Sequence, residues 1–370
     1  MKKKFLFFAA SIFSLTFAAC SDNDDPNQKP NPEPASKVDY GVFIVNAGNM
    51  YSNIDGSLGY IEFGSGDVFQ NLFKEANNNA TIGDTFNSGY VDGDYIYLAV
   101  TDSKVIHVID RKTFELIKTI STSAGPRQIT SYNGMVYVTL FGQPGSVVEI
   151  DPSSLEITRS IEVGPLPEYI VPFKGNLYVA VSDGYGDGSQ ASITVIDPAS
   201  FNVTRNITGI VNPVNLATNG NQLYVCSQGQ YLSEYPYTQY NYGVYEIKDN
   251  VLSEKLCEAT YIYINNDKLY FMDASYSYGE DHNYSYGVLD TKNNKASKWI
   301  NSEDGVDYPV AIGVDPVEGR VIILSYELGE GGYASYTTPG YAKLYTSDGQ
   351  LIGKYNTGVG VTNMFFNVAD

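Results

Sequence analysis

General acid–base and nucleophilic chemistry would need a histidine, or a paired acid and base, at a recognisable spacing, and this chain offers little of either. Its two histidines, His107 and His282, lie far apart. His107 sits in the apolar run Val105-Ile106-His107-Val108-Ile109, which aims it at a packed neighbour or solvent rather than at a substrate. His282 falls in a tyrosine-rich stretch and could touch a ligand there. No Gly-x-Ser-x-Gly elbow, His-Glu-x-x-His pair or glycine-rich phosphate loop occurs. The segment Asp183-Gly184-Tyr185-Gly186-Asp187 has the look of a calcium loop but lacks the ligand density and distal Glu of an EF-hand. Cys226 and Cys257 fall on the second and fourth strands of one repeat. That places them about 9–10 Å apart, beyond disulfide reach, and they read as buried thiols. No Cys/His spacing points to a structural metal, and no cofactor or metal is expected.

Tyrosine and neutral amides are abundant instead. Of the chain's 32 tyrosines, 13 fall in three stretches, 228–242, 273–286 and 326–341. The first holds Tyr231, Tyr235, Tyr237, Tyr240 and Tyr242. The second holds Tyr276, Tyr278, Tyr284 and Tyr286, and the third has Tyr333 and Tyr336 between Tyr326 and Tyr341. Tyrosine offers a large contact area at low entropic cost and keeps a hydrogen-bonding tip. Either these rings contact a ligand or they pack the long loops that carry them, and about half are expected to do the latter.

The elements that must position these residues come from a repeat. Pro126-Arg127-Gln128-Ile129 leads to Asn133-Gly134, then Val136-Tyr137-Val138-Thr139, then Val147 to Pro152, then Leu155 to Ile161. The next unit repeats this order from Pro167 to Arg205. Each unit holds four short alternating apolar runs separated by turn residues, which predicts four antiparallel strands. The second strand recurs at Val42, Ile96, Val136, Leu177, Leu223, Leu269 and Val321, with gaps of 54, 40, 41, 46, 46 and 52 residues. Seven units of four strands predict an all-β, seven-bladed β-propeller over residues 40–370. The first unit has no strand before its anchor, and Val359 to Phe366 reads as an inner strand without a blade. The C-terminal strand is therefore expected to complete the first blade and close the ring.

Propeller strands alternate in direction, so the loops between second and third strands share a face with the blade connections. All three tyrosine-rich stretches fall on that face, and the opposite face carries tight turns such as Asp151-Pro152-Ser153. Aligning the inner strands on Gln128 gives Asn87, Gln128, Tyr169, Asn215, Tyr261, Ala311 and Asn363. Six of the seven are neutral hydrogen-bonding residues near the channel mouth. They suit either a neutral multifunctional ligand or channel water and neighbouring strands. Arg127 and Tyr308 join them in the candidate binding set, with Tyr231, Tyr235, Tyr237, Tyr276, Tyr278, Tyr333 and Tyr336.

The N-terminus reads as a targeting segment. Lys2, Lys3 and Lys4 precede an apolar stretch, Phe5 to Phe17, that is short for a membrane span. Ala18-Ala19-Cys20 resembles the bacterial lipobox, with Phe17 where Leu is usual, and makes Cys20 the expected lipidation site. Residues 1–19 are then a signal peptide, and residues 20–39, acidic and rich in Pro and Asn, a flexible tether. The acidic run after Cys20 resembles the surface-export signal of Bacteroidota lipoproteins. Cleavage removes three lysines and no acid, so the net charge moves from −19 to −22. A surface this acidic excludes the basic stripe that nucleic acid requires.

Val136-Tyr137-Val138-Thr139, Ile193-Thr194-Val195-Ile196-Asp197 and Val163-Gly164-Pro165-Leu166-Pro167 resemble the YVTN, or YncE-like, propeller repeats. The opening, Gly41 to Asn49 followed by Gly56-Ser57-Leu58-Gly59-Tyr60, resembles a propeller lipoprotein family of Bacteroidota that includes surface-exposed cobalamin-binding members. That resemblance implies corrinoid capture without catalysis, a TonB-dependent outer-membrane transporter as partner, and a lipid anchor as the only membrane contact, on the extracellular face. A glycan- or protein-binding propeller remains the alternative, and a channel-sited lyase a second one. Trp299 is the only tryptophan and falls on an expected outer strand, which weighs against a carbohydrate platform.

Overall fold

The computed structural model describes residues 40–184, 186, 188–235, 237–276 and 284–368. The expected leader, the tether with Cys20, Asp187, Tyr278 and His282 lie outside the described residues.

Alternating apolar runs and left-handed turn residues build each sheet. In blade three the strands are Gly125–Tyr132, Met135–Phe141, Gly145–Asp151 and Glu156–Gly164, each antiparallel to the next. Asn133 and Gly134 both take positive φ, 50° and 76°, as a two-residue hairpin with the right twist requires. Second strands such as Asn176–Val181 pack against blades on both sides, so they read as unbroken apolar runs. Fourth strands such as Glu156–Gly164 alternate exposed and half-buried residues because only one edge of each radial sheet meets solvent.

Seven such sheets form the propeller. In blade one, Val361–Asn367 pairs antiparallel with Gly41–Asn46, as the sequence predicts. Phe43 and Phe365 stack at 4.8 Å across this closure. The connection into the closing strand turns at Gly360, whose φ is +69° and where a Cβ would lie 2.3 Å from the Gly48 carbonyl oxygen. On the opposite face Tyr40 donates a hydrogen bond to buried Asp315, and Arg320 approaches the same carboxylate at 3.5 Å. Blades one and seven are thus tied at both ends. The core lies between blades, as clusters such as Tyr97, Val136 and Val148 between blades two and three.

Two details depart from the plain four-strand repeat. A one-turn helix, Leu72–Ala76, follows the two-residue outer strand of blade one, and its Leu72 and Phe73 bury into the core between blades one and two. It covers an edge that a longer fourth strand would have covered. Cys257 is not on the fourth strand, which ends at Leu252. It forms an isolated bridge to Val244 and is only half-buried, unlike Cys226.

Candidate functional site

Prolines start the inner strands of blades four, five and seven, and each strand bulges directly after its proline. Pairing skips Glu168 after Pro167, Val214 after Pro213 and Val310 after Pro309. In blade two the skipped residue is Asn87, after Phe86. The register equivalent of Tyr169 and Asn215 is therefore Ser88, one residue after the Asn87 that the sequence alignment gives. The same bulge in blades four, five and seven leaves the alignment intact; Gln128, Tyr169, Asn215 and Tyr261 each stand eight residues before the second-strand anchor, and in blade two that spacing falls on Ser88. Asn87 nevertheless lines the channel.

The central channel encloses about 540 Å³. Asn87, Gln128, Tyr169, Asn215, Tyr261, Ala311 and Asn363 all line it. They divide into two groups. On the side of blades one to three the polar groups serve the ring itself. Asn363 Nδ2 donates to the Asn87 carbonyl at 3.3 Å, and Asn87 Nδ2 to the Arg127 carbonyl at 3.1 Å. Arg127 donates through Nη1 to Asn87 Oδ1 at 3.1 Å and grips Glu168 with two bonds of 2.9 and 3.0 Å. Its guanidinium also covers Phe141 at 4.5 Å. The negative charge of Glu168 is thereby matched.

Gln128, Tyr169, Asn215 and Tyr261, on the consecutive blades three to six, behave differently. Among the described residues none of their side chains has a hydrogen-bond partner, and all four face the channel half-exposed. Burial pushes the Tyr169 phenol up to about 12. Burial also raises Tyr261, with Tyr326, Tyr308 and Tyr231 adding to it. Both phenols stay neutral across the physiological range. A polar group aimed into a cavity without a protein partner binds water or a ligand.

Beside the channel lies a second cavity of about 460 Å³, with Gln228, Thr260 and Tyr261 common to both. Tyr231, Tyr237, Tyr276 and Tyr308 meet there, drawn from the loops after the second strands and from the start of an inner strand. That combination places the long loops and the blade connections on one face. Tyr231 and Tyr276 pack edge to face at 6.2 Å, and Tyr308 meets Tyr284 at 6.3 Å and Tyr326 at 5.9 Å. Buried Gln239 fixes the blade-five loop to blade six. Its Nε2 donates to the Gln228 carbonyl at 2.7 Å, its Oε1 accepts from the Tyr276 N–H at 2.9 Å, and its own N–H donates to the Tyr276 carbonyl at 2.8 Å. Tyr235, Tyr333 and Tyr336 are exposed on the rim and line neither cavity. Tyr242, Tyr284, Tyr286 and Tyr341 are buried and hold the loops down.

Sequence reasoning missed Gln228 and Gln239, whose roles depend on loop geometry. It also missed Tyr263, which lines the channel two residues past Tyr261 on the same strand, where a period of two would have found it. His107 is buried, bonded to Thr119 Oγ1 at 2.9 Å and the Ile82 carbonyl at 3.1 Å, and stacked near Phe73. Burial lowers its pKa, and it faces the connection between blades one and two, away from the channel. Trp299 lies on the outer strand Lys295–Ile300.

No family model matches the chain, and no curated protein matches it. Solved structures do. The chain is similar to hydrazine synthase of Kuenenia stuttgartiensis, at 16% identity over 73% of this chain and 85% of that one, with a TM-score of 0.52. It is similar to a functionally unknown protein from Desulfotomaculum acetoxidans, at 9% identity over 90% and 100%, with a TM-score of 0.61. It is also similar to apo AztD from Citrobacter koseri, at 12% identity over 89% and 98%, with a TM-score of 0.52. At these identities the likeness establishes the propeller fold.

Proposed function

We propose that this propeller is a surface lipoprotein that captures a corrinoid at the channel mouth and passes it, chemically unchanged, to a TonB-dependent outer-membrane transporter. The observation that carries the reading is the arc of Gln128, Tyr169, Asn215 and Tyr261, four neutral polar side chains without hydrogen-bond partners among the described residues, opening onto a tyrosine-lined cavity. A corrinoid presents neutral amides around a broad ring. Amides and phenols match those groups, and half-exposed tyrosines give the ring a contact surface. Transfer requires release, and contacts made by neutral hydrogen bonds and ring packing need no charge to be stripped of water. The buried, packed state of His107 supports binding without catalysis. Delivery at the membrane rests on Cys20 as the lipid anchor.

The tyrosine cavity, with Ser275 and Gln239 on its wall, also favours a second reading, a glycan-binding surface propeller. Thermal unfolding separates the two. Saturating cyanocobalamin should raise the melting temperature of a fragment starting at residue 38, and a panel of neutral oligosaccharides should not. A shift with a sugar and none with the corrinoid reverses the assignment.

A further inference from the structure

Below the polar arc the channel changes character. Tyr263 of blade six and Phe366 of blade one meet edge to face, with ring centroids 6.1 Å apart. Blade seven stands between those two blades, so the two rings meet in front of its inner strand. The contact is possible because the inner strand of blade seven, Pro309–Val314, offers Gly313 level with Tyr263. A Cβ at Gly313 would lie 2.5 Å from Met364 Sδ. Tyr263 and Phe366 are both half-exposed, and the surface they expose is the channel's own. Val91 and Val171 add apolar surface to the channel lining. Apolar ring surface facing a water-filled lumen is unfavourable, and an apolar occupant relieves it.

Size limits the occupant. A volume of about 540 Å³ is that of a site for a small drug-like molecule. A corrin macrocycle bearing all its amide arms does not fit inside it. A single projecting arm does.

We propose that the channel receives one arm of the ligand, ending in a flat aromatic base seated on Tyr263 and Phe366, while the body of the ligand stays at the mouth. This rests on the corrinoid reading. A cobalamin carries one arm of this kind, its nucleotide, whose benzimidazole base projects from one face of the macrocycle. Gln128, Tyr169, Asn215 and Tyr261 then form a collar around the arm, and the tyrosine cavity holds the edge of the ring.

Calorimetric titration with two ligands tests it. Cyanocobalamin has the arm, and cobinamide is the same macrocycle without the nucleotide. The wild-type protein should bind cyanocobalamin about tenfold or more tightly than cobinamide, as loss of a seated aromatic group implies. Phe366→Ala should weaken cyanocobalamin by a similar factor and leave cobinamide unchanged. Val171→Phe, which adds a ring to the lower lumen, should do the same, so the comparison does not depend on one variant folding. Equal affinity for the two ligands in the wild type overturns the arm-in-channel placement and leaves the corrinoid reading standing. So does a Phe366→Ala variant that loses both ligands equally. Binding of neither ligand removes the corrinoid reading, and this inference with it.

Discussion

Tyr261 stands where the channel and the tyrosine cavity meet, and its hydroxyl has no hydrogen-bond partner among the described residues. Replacing it by Phe therefore deletes no bond of the free protein. Stability should stay within about 0.5 kcal/mol of wild type, because the hydroxyl being removed opens onto the channel and braces no other described residue. The complex loses whatever bond that hydroxyl makes to the ligand. A neutral hydrogen bond contributes about 1 kcal/mol, so the dissociation constant should rise roughly fivefold. Tyr261→Ala removes the ring as well. A well-packed aromatic anchor is worth about 2 kcal/mol or more, which weakens binding roughly thirtyfold. The ring is only half-buried in the free protein, so the fold should lose about 2 kcal/mol, less than a fully buried aromatic would cost. Calorimetry reads the affinity, and thermal unfolding reads the stability. A Tyr261→Phe protein that melts several degrees lower yet binds as well as wild type would refute the reasoning. The phenol would then be a brace of the ring and not a contact.

Asp151→Asn, in the turn on the opposite face, should leave ligand affinity unchanged. Sensitivity there, with indifference at Tyr169 and Tyr261, would show that the ligand uses the other face. Buried Glu149 is held by Arg159 and accepts a 2.7 Å bond from Thr158 Oγ1. Burial pushes its carboxyl up, but the bonds from Arg159, Thr158 and Tyr137 outweigh that and leave it below the usual range. A depressed carboxylate stabilises the fold above its unfolded value and loses that contribution as pH falls through its folded value. Glu149→Gln should thus cost about 2 kcal/mol at neutral pH, discounted because Arg159 is partly exposed, and the gap should close in denaturant titrations below about pH 4. Gly360→Ala should destabilise the ring by about 2 kcal/mol or more, seen as a lower denaturation midpoint, because its left-handed turn leaves no room for a Cβ. Cys20→Ala should abolish acylation at that position, and protease treatment of intact cells should release the wild-type propeller. Protection in intact cells, with digestion only after lysis, would contradict the outward placement.

The blade count and the closing strand were legible because they depend on local pattern. Val136-Tyr137-Val138 and its six counterparts all fall on second strands, buried on both sides, where an apolar run has no other use. The channel layer was legible to within one residue. Asn87 lies one residue off because an amide there imitates the pattern, whereas the eight-residue spacing to the second strand that Gln128, Tyr169, Asn215 and Tyr261 share falls on Ser88. Which tyrosines converge was only partly readable. Tyr231, Tyr237, Tyr276 and Tyr308 share a cavity, whereas Tyr333 and Tyr336 lie out on the rim. Loop direction there is set by Gln239, whose four bonds to Gln228 and Tyr276 no spacing rule foretells. The aromatic floor was hidden for a different reason. Tyr263 and Phe366 lie 103 residues apart in the chain and meet only because blade seven offers Gly313 between them.

In the proposed function a neutral polar ring and its tyrosine border hold a corrinoid without changing it. Calorimetric titration of residues 38–370 with cyanocobalamin, at low and at high salt, tests it most directly. One site is expected, with an affinity that changes little with ionic strength because the contacts are uncharged, and a cobalamin absorption spectrum restored intact after the protein is denatured. No heat at saturating ligand would contradict it, as would an affinity that collapses in salt or a corrinoid recovered chemically altered.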